Sequence, residues 1–182
     1  VLCDEGDTVL LPTPCYPVFI AGSLLGGAKP WYYPLTKEHG FLPYVKDIPE
    51  DVARKAKYMI VSLPANPVGS VGSPELYQEI VDFCNAHKIL LVHDNAYSDI
   101  IFDGAVGHSI FNIPGAETCA VEFFSLSRSI IMYHVCLAII IKEQSRIVHI
   151  FRENHPFPRT FYLVSDANRK ITLFTSPSIR RT

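Results

Sequence analysis

Five short runs of consecutive apolar residues constrain the fold of this chain more than any other feature. A strand that faces solvent on one side alternates apolar and polar residues, whereas continuous apolar runs are typical of strands buried on both faces. The runs cover Thr8 to Leu11, Tyr58 to Leu63, Ile89 to His93, Cys119 to Phe124 and Cys136 to Ile141. They predict a sheet that is covered on both sides.

A clear helical signal lies between the second and the third run. Ser73 is a potential N-cap, and Pro74 suits the first helical position, where its missing N–H costs nothing. The segment ends near His87, and its apolar residues fall on one helical face: Leu76, Ile80, Val81, Phe83 and Cys84. The sequence therefore predicts a strand–helix–strand unit.

Two further helices are expected nearer the N-terminus. One begins at Tyr16 or Pro17 and ends at the glycine pair Gly26 and Gly27, because paired glycines stop helices. A shorter one covers Asp51 to Lys57. Strands that alternate with helices indicate the α/β class, with a mainly parallel sheet and flanking helices.

The composition excludes several classes of partner. Of the 182 residues, 48% are hydrophobic and 19% charged, which is enough apolar material for the core of one globular domain. The formal net charge is -2, so no overall basic field attracts a nucleic acid or an anionic membrane. The longest apolar stretch, Ile130 to Ile141, is well short of the roughly 20 residues that span a bilayer. We therefore expect no nucleic acid and no membrane as partner.

The cysteines indicate a reducing compartment. There are five, at positions 3, 15, 84, 119 and 136, which is an odd number without a CxxC pair. This pattern suits reduced thiols better than a framework of disulfides. The expected location is cytoplasmic.

Proline, asparagine and hydroxyl residues follow four of the predicted strands. Parallel α/β sheets place their chemistry on the loops at the carboxyl ends of strands. Each loop alone has an ordinary interpretation, because Asn-Pro and Pro-Val-Gly are common turn sequences. Their order and shared position are the informative feature. The loops are PTPCYP at 12–17, PANPVG at 64–69, DNAY at 94–97 and SLSR at 125–128.

Together these segments resemble the large domain of the fold-type I, class I/II aminotransferases, which use pyridoxal 5'-phosphate. The resemblance covers about residues 4–141 and is strongest for the branch with LL-diaminopimelate and alanine aminotransferase-like enzymes. DEGDTVLLPTPCYPVF is similar to the segment that delivers an aromatic residue onto the cofactor ring, and LPANPVG to the NPxG motif. HDNAYSDIIFDG resembles HDxAYxxIxFDG, and EFFSLSRSIIM resembles the Schiff-base segment SLSKxxxM. The family implies amino acid and 2-oxo acid substrates and a homodimer.

The resemblance implies cofactor contacts for three polar residues. Asp94 corresponds to the carboxylate that keeps the ring nitrogen protonated, as a pyridoxal electron sink requires. Asn66 and Tyr97 correspond to the pair that hydrogen-bonds the phenolic oxygen of the ring. From the residues alone, Asp94 is also interpretable as a helix or turn cap, and Asn66 as a turn residue.

Four more positions correspond to known parts of the family's site. Tyr16 matches the aromatic residue that stacks on the ring, with a core tyrosine as the alternative, and Ser125 and Ser127 match hydroxyls of the phosphate cup. The Schiff-base lysine is replaced by Arg128. Its guanidinium stays protonated and its nitrogen lone pairs are delocalised, so it offers neither a nucleophilic amine nor a general base. The resemblance thus implies impaired catalysis.

Further departures concern the cofactor phosphate. Where the family has a phosphate-binding arginine, this chain has Cys136, so we expect weak cofactor binding. The family's glycine–serine phosphate loop would lie before Val1, and its small domain would follow the resemblance. We therefore expect a fragment of a longer protein.

The resemblance divides the chain into two parts. Residues 1–141 correspond to a partial aminotransferase large domain, and residues 142–182 form a divergent tail without a sustained helical period. A diverged remnant, an altered reading frame and a splice-like replacement are all open explanations for this tail.

Other chemistries have less support in the sequence. His93, His108 and Asp94 lack the i, i+4 spacing of a helical zinc motif, and solvated or core histidines are the simpler interpretation. The first strand is followed by Pro12-Thr-Pro14 rather than GxGxxG, which excludes a Rossmann dinucleotide turn. No metal site is predicted.

Two hypotheses of different classes follow. The first is a pyridoxal-phosphate-dependent aminotransferase that is truncated and impaired by Arg128. The alternative is a non-catalytic, degenerate fragment that acts, if at all, as an interaction partner of a full-length relative.

Overall fold

The computed structural model describes residues 2–125 and, as backbone only, the strand segments 137–142, 145–152, 160–165 and 171–175. Side chains are described up to residue 124. Ser127 and Arg128 lie outside the described residues, and so does the side chain of Ser125.

The first five strands run parallel, in the order β2-β1-β3-β4-β5. The predicted α/β class, with a parallel sheet and flanking helices, is confirmed. The edge strand β2 was not predicted, because its sequence KPWYYP contains two prolines, which are rare in strands away from an edge. The strands are β1 (Thr8–Thr13), β2 (Lys29–Pro34), β3 (Ala56–Ser62), β4 (Leu90–Asp94) and β5 (Ala120–Ser125).

The sheet continues past β5 with antiparallel strands in sequence order. The fifth predicted strand is confirmed as β6. The predicted division after residue 141 falls one residue before the end of this strand and stays a prediction. These strands are β6 (Leu137–Lys142), β7 (Ser145–Arg152), β8 (Thr160–Ser165) and β9 (Ile171–Thr175).

Four α-helices connect the parallel strands: α1 (Pro17–Leu25), α2 (Glu50–Ala53), α3 (Pro74–His87) and α4 (Ala116–Cys119). Helix α3 begins as predicted, since the Leu76 N–H donates to Ser73 Oγ at 3.3 Å. Helix α2 is shorter than predicted, because β3 already begins at Ala56. Within the described part of the chain, no helix is long and apolar enough to cross a membrane.

The two faces of the parallel sheet have different covers. The α3 face carries the alternate residues Leu10, Met59, Val61 and Leu91, and α3 and α4 pack on it with Ile80, Val81, Cys84 and Ala116. The opposite α1 face carries Leu11, Tyr58, Ile60 and Val92 and is covered by α1. A buried hydrogen bond joins Ser23 Oγ of α1 to Tyr58 Oη of β3 at 2.8 Å.

Candidate functional site

The carboxyl edge of the sheet brings two polar strand ends together. Ser62, the last residue of β3, pairs in register with Asp94, the last residue of β4. The Ser62 hydroxyl lies 3.3 Å from Asp94 Oδ2 and donates to it. Because side chains alternate along a strand, both residues point to the α1 face, where Val92 and Ile60 also lie.

Asp94 lines a cavity of about 540 Å³ on the α1 face. Its other walls are mostly apolar and include Ile60, Val92, Phe123 and Tyr16. Tyr16 precedes α1, is 45% exposed, and meets the ring of Phe19 edge-on at 5.9 Å between centroids. A carboxylate and an aromatic ring thus line one mostly apolar space that is large enough for a small heterocycle.

The environment of Asp94 disfavours its charge. Burial raises the pKa of this carboxyl, and the influence of His93 and of the Ser62 hydroxyl only partly offsets the rise. A cationic nitrogen facing Asp94 would stabilise the ionised form. The cavity therefore suits a flat ligand that presents a protonated nitrogen to this wall.

A second polar pair lies on the loops that follow β3 and β4. The Asn66 side-chain amide donates to Tyr97 Oη at 3.2 Å, across 31 positions of sequence. Both residues line a separate cavity of about 590 Å³, together with Pro64, Ile100 and Phe102. An amide N–H and a phenolic hydroxyl in contact provide two donors for an anionic oxygen.

The predicted site residues are therefore brought together in pairs. Tyr16 and Asp94 share the first cavity, and Asn66 and Tyr97 share the second. Ser125 ends β5 at the same edge of the sheet. Their convergence on one ligand stays a prediction, as do the roles of Ser127 and Arg128.

The sequence analysis missed a buried polar pair on the α3 face. His93 is fully buried, and its Nδ1 lies 2.9 Å from Oε2 of Glu122, which is 3% exposed. The interpretation of His93 as a core histidine agrees with this burial. A signal for Glu122 was present, because a glutamate within an apolar strand requires a buried partner.

The described residues contain no group of three histidine, cysteine or acidic side chains that could hold a metal ion. Cys3, Cys15, Cys84 and Cys119 are free thiols. Burial raises the pKa of Cys84, which lies within the core, and it raises the pKa of Cys119 to about 11. Such thiols are protonated near neutral pH and poor nucleophiles.

Comparison of the sequence with known proteins identifies one family. The model for the aminotransferases of class I and II matches residues 1–157. LL-diaminopimelate aminotransferase 2 of Trichormus variabilis is 46% identical over 126 residues, which is 69% of this chain and 32% of that protein. LL-diaminopimelate aminotransferase of Moorella thermoacetica is 43% identical over 125 residues, again 69% of this chain and 32% of the relative. The chain thus spans about a third of the length of these curated relatives.

Solved structures agree with the sequence comparison. Substrate-bound BacF from Bacillus subtilis superposes with a TM-score of 0.74 at 33% identity, over 78% of this chain and 36% of that one. A probable N-succinyldiaminopimelate aminotransferase from Thermus thermophilus gives a TM-score of 0.65 at 32% identity, over 69% of this chain and 33% of that one.

Proposed function

The chain belongs to the class I and II aminotransferases, and from this premise we propose that it is the ring-binding part of a pyridoxal-phosphate-dependent aminotransferase. The reaction is the transfer of an amino group between an amino acid and a 2-oxo acid. Because relatives at 46% and 43% identity are LL-diaminopimelate aminotransferases, a diamino acid of that kind is the first amino donor to test.

We propose that the residues of the carboxyl edge hold the ring of this cofactor. When bound, pyridoxal phosphate supplies an electron sink, which depends on a protonated ring nitrogen. Asp94 would hold that proton, because a buried carboxylate favours a cationic partner. Asn66 and Tyr97 would donate to the phenolic oxygen, and Tyr16 would cover one face of the ring. The single observation that carries this proposal is the 3.2 Å contact between Asn66 and Tyr97. It brings together, from two loops, an amide and a hydroxyl group that can both donate to one oxygen.

The residues expected near the cofactor phosphate and the reacting carbon are less suitable. Ser125 and Ser127 would contribute hydroxyls to the phosphate, whereas Cys136 replaces the expected arginine and weakens the binding. Arg128 stands where the family has its lysine. A guanidinium gives no free amine to condense with an aldehyde and no base to move the α-proton of a substrate. We therefore propose that this chain is catalytically impaired.

The same substitution favours a second candidate of another class. A non-catalytic fragment would keep the fold and act, if at all, as an interaction partner of a full-length relative. Helix α1 supports a partner surface, because Val18, Leu24 and Leu25 expose apolar side chains on it. In the family this partner would be a second aminotransferase chain, as in a homodimer. The free cysteines support a reducing, cytoplasmic location.

A binding assay and an activity assay separate the two candidates. Pyridoxamine 5'-phosphate needs no lysine, so we expect the unsubstituted chain to bind it weakly and Asn66→Ala to weaken it further. Ser70→Ala is the control, because the Ser70 hydroxyl donates to Phe41 O, away from the Asn66–Tyr97 pair. The assigned ring site would be contradicted if Asn66→Ala and Ser70→Ala both lost binding, or if neither variant bound more weakly than the unsubstituted chain.

We expect no transaminase turnover from the unsubstituted chain. In Arg128→Lys, borohydride reduction with pyridoxal phosphate should yield an adduct at position 128, yet little turnover, because the phosphate contacts stay incomplete. Mass spectrometry locates the adduct. Turnover of an amino acid with 2-oxoglutarate by the unsubstituted chain would refute the impairment.

A further inference from the structure

A buried hydrogen-bond network lies directly behind the candidate ring site. His93 and Glu122 are register partners on β4 and β5, and both side chains point to the α3 face, opposite Asp94. His93 Nδ1 donates to Glu122 Oε2 at 2.9 Å, since the carboxylate can only accept. His93 Nε2 lies 3.2 Å from Leu63 O and 3.3 Å from Tyr77 Oη. Each ring nitrogen therefore has a partner within the core.

One oxygen of Glu122 also binds the chain that returns from the site. Oε2 accepts the Ile110 N–H at 2.7 Å and the Ser109 hydroxyl at 3.2 Å. Burial alone would raise the pKa of Glu122, but its hydrogen bond and attraction to His93, together with the Ile110 N–H, lower it below the ordinary value. The carboxylate is thus ionised and held by several donors at once.

These bonds close the segment 95–110, which we term the Tyr97 loop. At its start, the Asn95 N–H donates to Phe123 O of β5 at 2.8 Å. The Asn95 side-chain amide reaches across to His108 O at 3.4 Å, so the two ends of the loop are joined. The chain passes so close at Gly107 that a Cβ there would lie 2.7 Å from Ser98 O. The loop is therefore fixed at its base, and its far end carries exposed residues such as Phe102.

We propose that the Glu122–His93 pair is a positioning device that anchors the Tyr97 loop to the sheet and so sets Tyr97 against Asn66. The anchoring is a statement about the fold, whereas its consequence for the ligand rests on the proposed function. Neither residue touches the candidate ring site, since their side chains lie on the opposite face of β4 and β5. Both act through the backbone that follows Asp94.

The anchoring is tested by hydrogen exchange in the ligand-free chain. The Ile100 amide donates to Tyr97 O at 2.9 Å and does not contact Glu122, so its exchange reports the order of the Tyr97 loop. Glu122→Leu should accelerate exchange at Ile100 at least about tenfold. Glu122→Gln keeps an acceptor oxygen and should accelerate it by only a few-fold.

Ile80→Ala is the matched control, because Ile80 is fully buried in the core of the same face and its side chain can form none of the hydrogen bonds that hold the loop. Rates are compared at denaturant concentrations that give equal global stability. Acceleration by Glu122→Leu beyond that of Ile80→Ala supports the anchor. Equal acceleration in both overturns it, because the pair would then only stabilise the core. If Glu122→Leu does not fold, Glu122→Gln and Ser109→Ala decide the same comparison.

Binding of pyridoxamine 5'-phosphate tests the consequence for the ligand. Glu122→Gln should weaken binding several-fold, while Ile80→Ala, measured at a temperature where it is folded, should stay within about twofold of the unsubstituted chain. Unchanged binding in Glu122→Gln, despite faster loop exchange, overturns the positioning role. Failure of the unsubstituted chain to bind refutes the proposed function instead, and the exchange result then stands on its own.

Discussion

The two faces of the parallel sheet differ in how completely they are closed. On the α3 face, Met59 and Leu91 are fully buried, and the polar groups of His93 and Glu122 bond to each other. On the α1 face, a cavity of about 540 Å³ reaches Asp94, and Leu25 of the covering helix is 90% exposed. One face holds the fold together, and the other is where a ligand or a partner has room.

The two helices show the same contrast in their sequences. Helix α3 has apolar residues on one side and polar residues on the other, which suits a helix between core and solvent. Helix α1 reads PVFIAGSLL, without a single charge, and Ser23 is its one fully buried residue. A helix that is apolar on all sides is normally buried on all sides. The exposed side of α1 is therefore suited by its composition to contact with another molecule.

The two faces of the sheet also differ in how they shift the pKa values of two neighbouring carboxyl groups. Burial raises the pKa of Asp94, which faces the cavity, whereas hydrogen bonds and His93 lower the pKa of Glu122 despite its burial. Pairs of acids whose surroundings push their pKa values apart are a mark of divided roles. The carboxylate of Glu122 has its hydrogen-bond partners within the protein, whereas the ionised form of Asp94 would be stabilised further by a cation.

The largest expected difference concerns matched leucines on the two sides. Leu91→Ala on the α3 face should lower the free energy of unfolding by about 2–5 kcal/mol, since it leaves a cavity in a packed core. Leu25→Ala on α1 should change it by less than about 0.5 kcal/mol. Urea unfolding measures both. Similar losses in the two variants would show that α1 is covered in solution.

Next in size is the effect of removing the charge of Asp94. Loss of a charge-assisted hydrogen bond of about 1.5–3 kcal/mol should weaken pyridoxamine 5'-phosphate binding roughly 10- to 100-fold in Asp94→Asn. The control is Asp51→Asn, because Asp51 is exposed and only meets Lys55 at 3.8 Å. Equal affinity of both variants would contradict the role of Asp94.

The same variant should stabilise the protein without ligand. The folded state holds the Asp94 proton more tightly than the unfolded state, because its pKa is raised. Stability is therefore lost as pH rises from the unfolded to the folded pKa, and it stays lower above that window. Asp94→Asn should thus have the higher Tm near neutral pH, as measured by calorimetry. A lower Tm would mean that the contacts of the carboxylate, including the Ser62 hydroxyl, outweigh the effect of its burial.

A smaller difference separates the starts of the two helices. Ser73 caps α3 through its hydroxyl, whereas α1 begins after Tyr16 without a side-chain cap. Ser73→Ala should cost about 1 kcal/mol of unfolding free energy, and Ser73→Asp should restore most of it. Chemical denaturation gives the values. Equal stability of Ser73→Ala and the original chain would show that the cap contributes nothing.

The smallest effect is a pH dependence at the end of α3. The His87 ring donates hydrogen bonds to the Glu50 carboxylate and to the Phe83 carbonyl, and both raise the pKa of His87. This stability is present below the unfolded pKa and is lost as pH rises through the folded pKa. Because the Glu50 side chain is 66% exposed, the contribution should not exceed about 0.5 kcal/mol.

The measurement compares Glu50→Gln with the original chain at about pH 5.5 and about pH 8.5. The destabilisation should be larger at the lower pH, because the contact between Glu50 and Arg54 at 3.8 Å is lost equally at both pH values. Glu79→Gln is the control, because Glu79 pairs with Lys46, which keeps its charge over this range. A loss that is equal at both pH values would exclude His87 as its source.

The sequence by itself determined five of the strands and the main helix. Continuous apolar runs predicted β1, β3, β4, β5 and β6, because a strand buried on both faces consists mainly of apolar residues. Ser73 and Pro74 predicted the start of α3 for a local reason, which is the geometry of a helix cap. Strand β2 escaped prediction, since only its place at the edge allows its prolines.

The order of the motifs also predicted which residues to examine, although not how they meet. Asn66 and Tyr97 are 31 positions apart, and only the parallel pairing of β3 with β4 brings their loops into contact. Glu122 lies inside an apolar run, and its partners His93, Ser109 and Ile110 come from two other segments. Local patterns follow from the chemistry of adjacent residues, whereas burial, pKa and the joining of distant side chains depend on which strands become neighbours. Tertiary structure alone therefore decided that Glu122 is satisfied and that Asp94 faces a cavity.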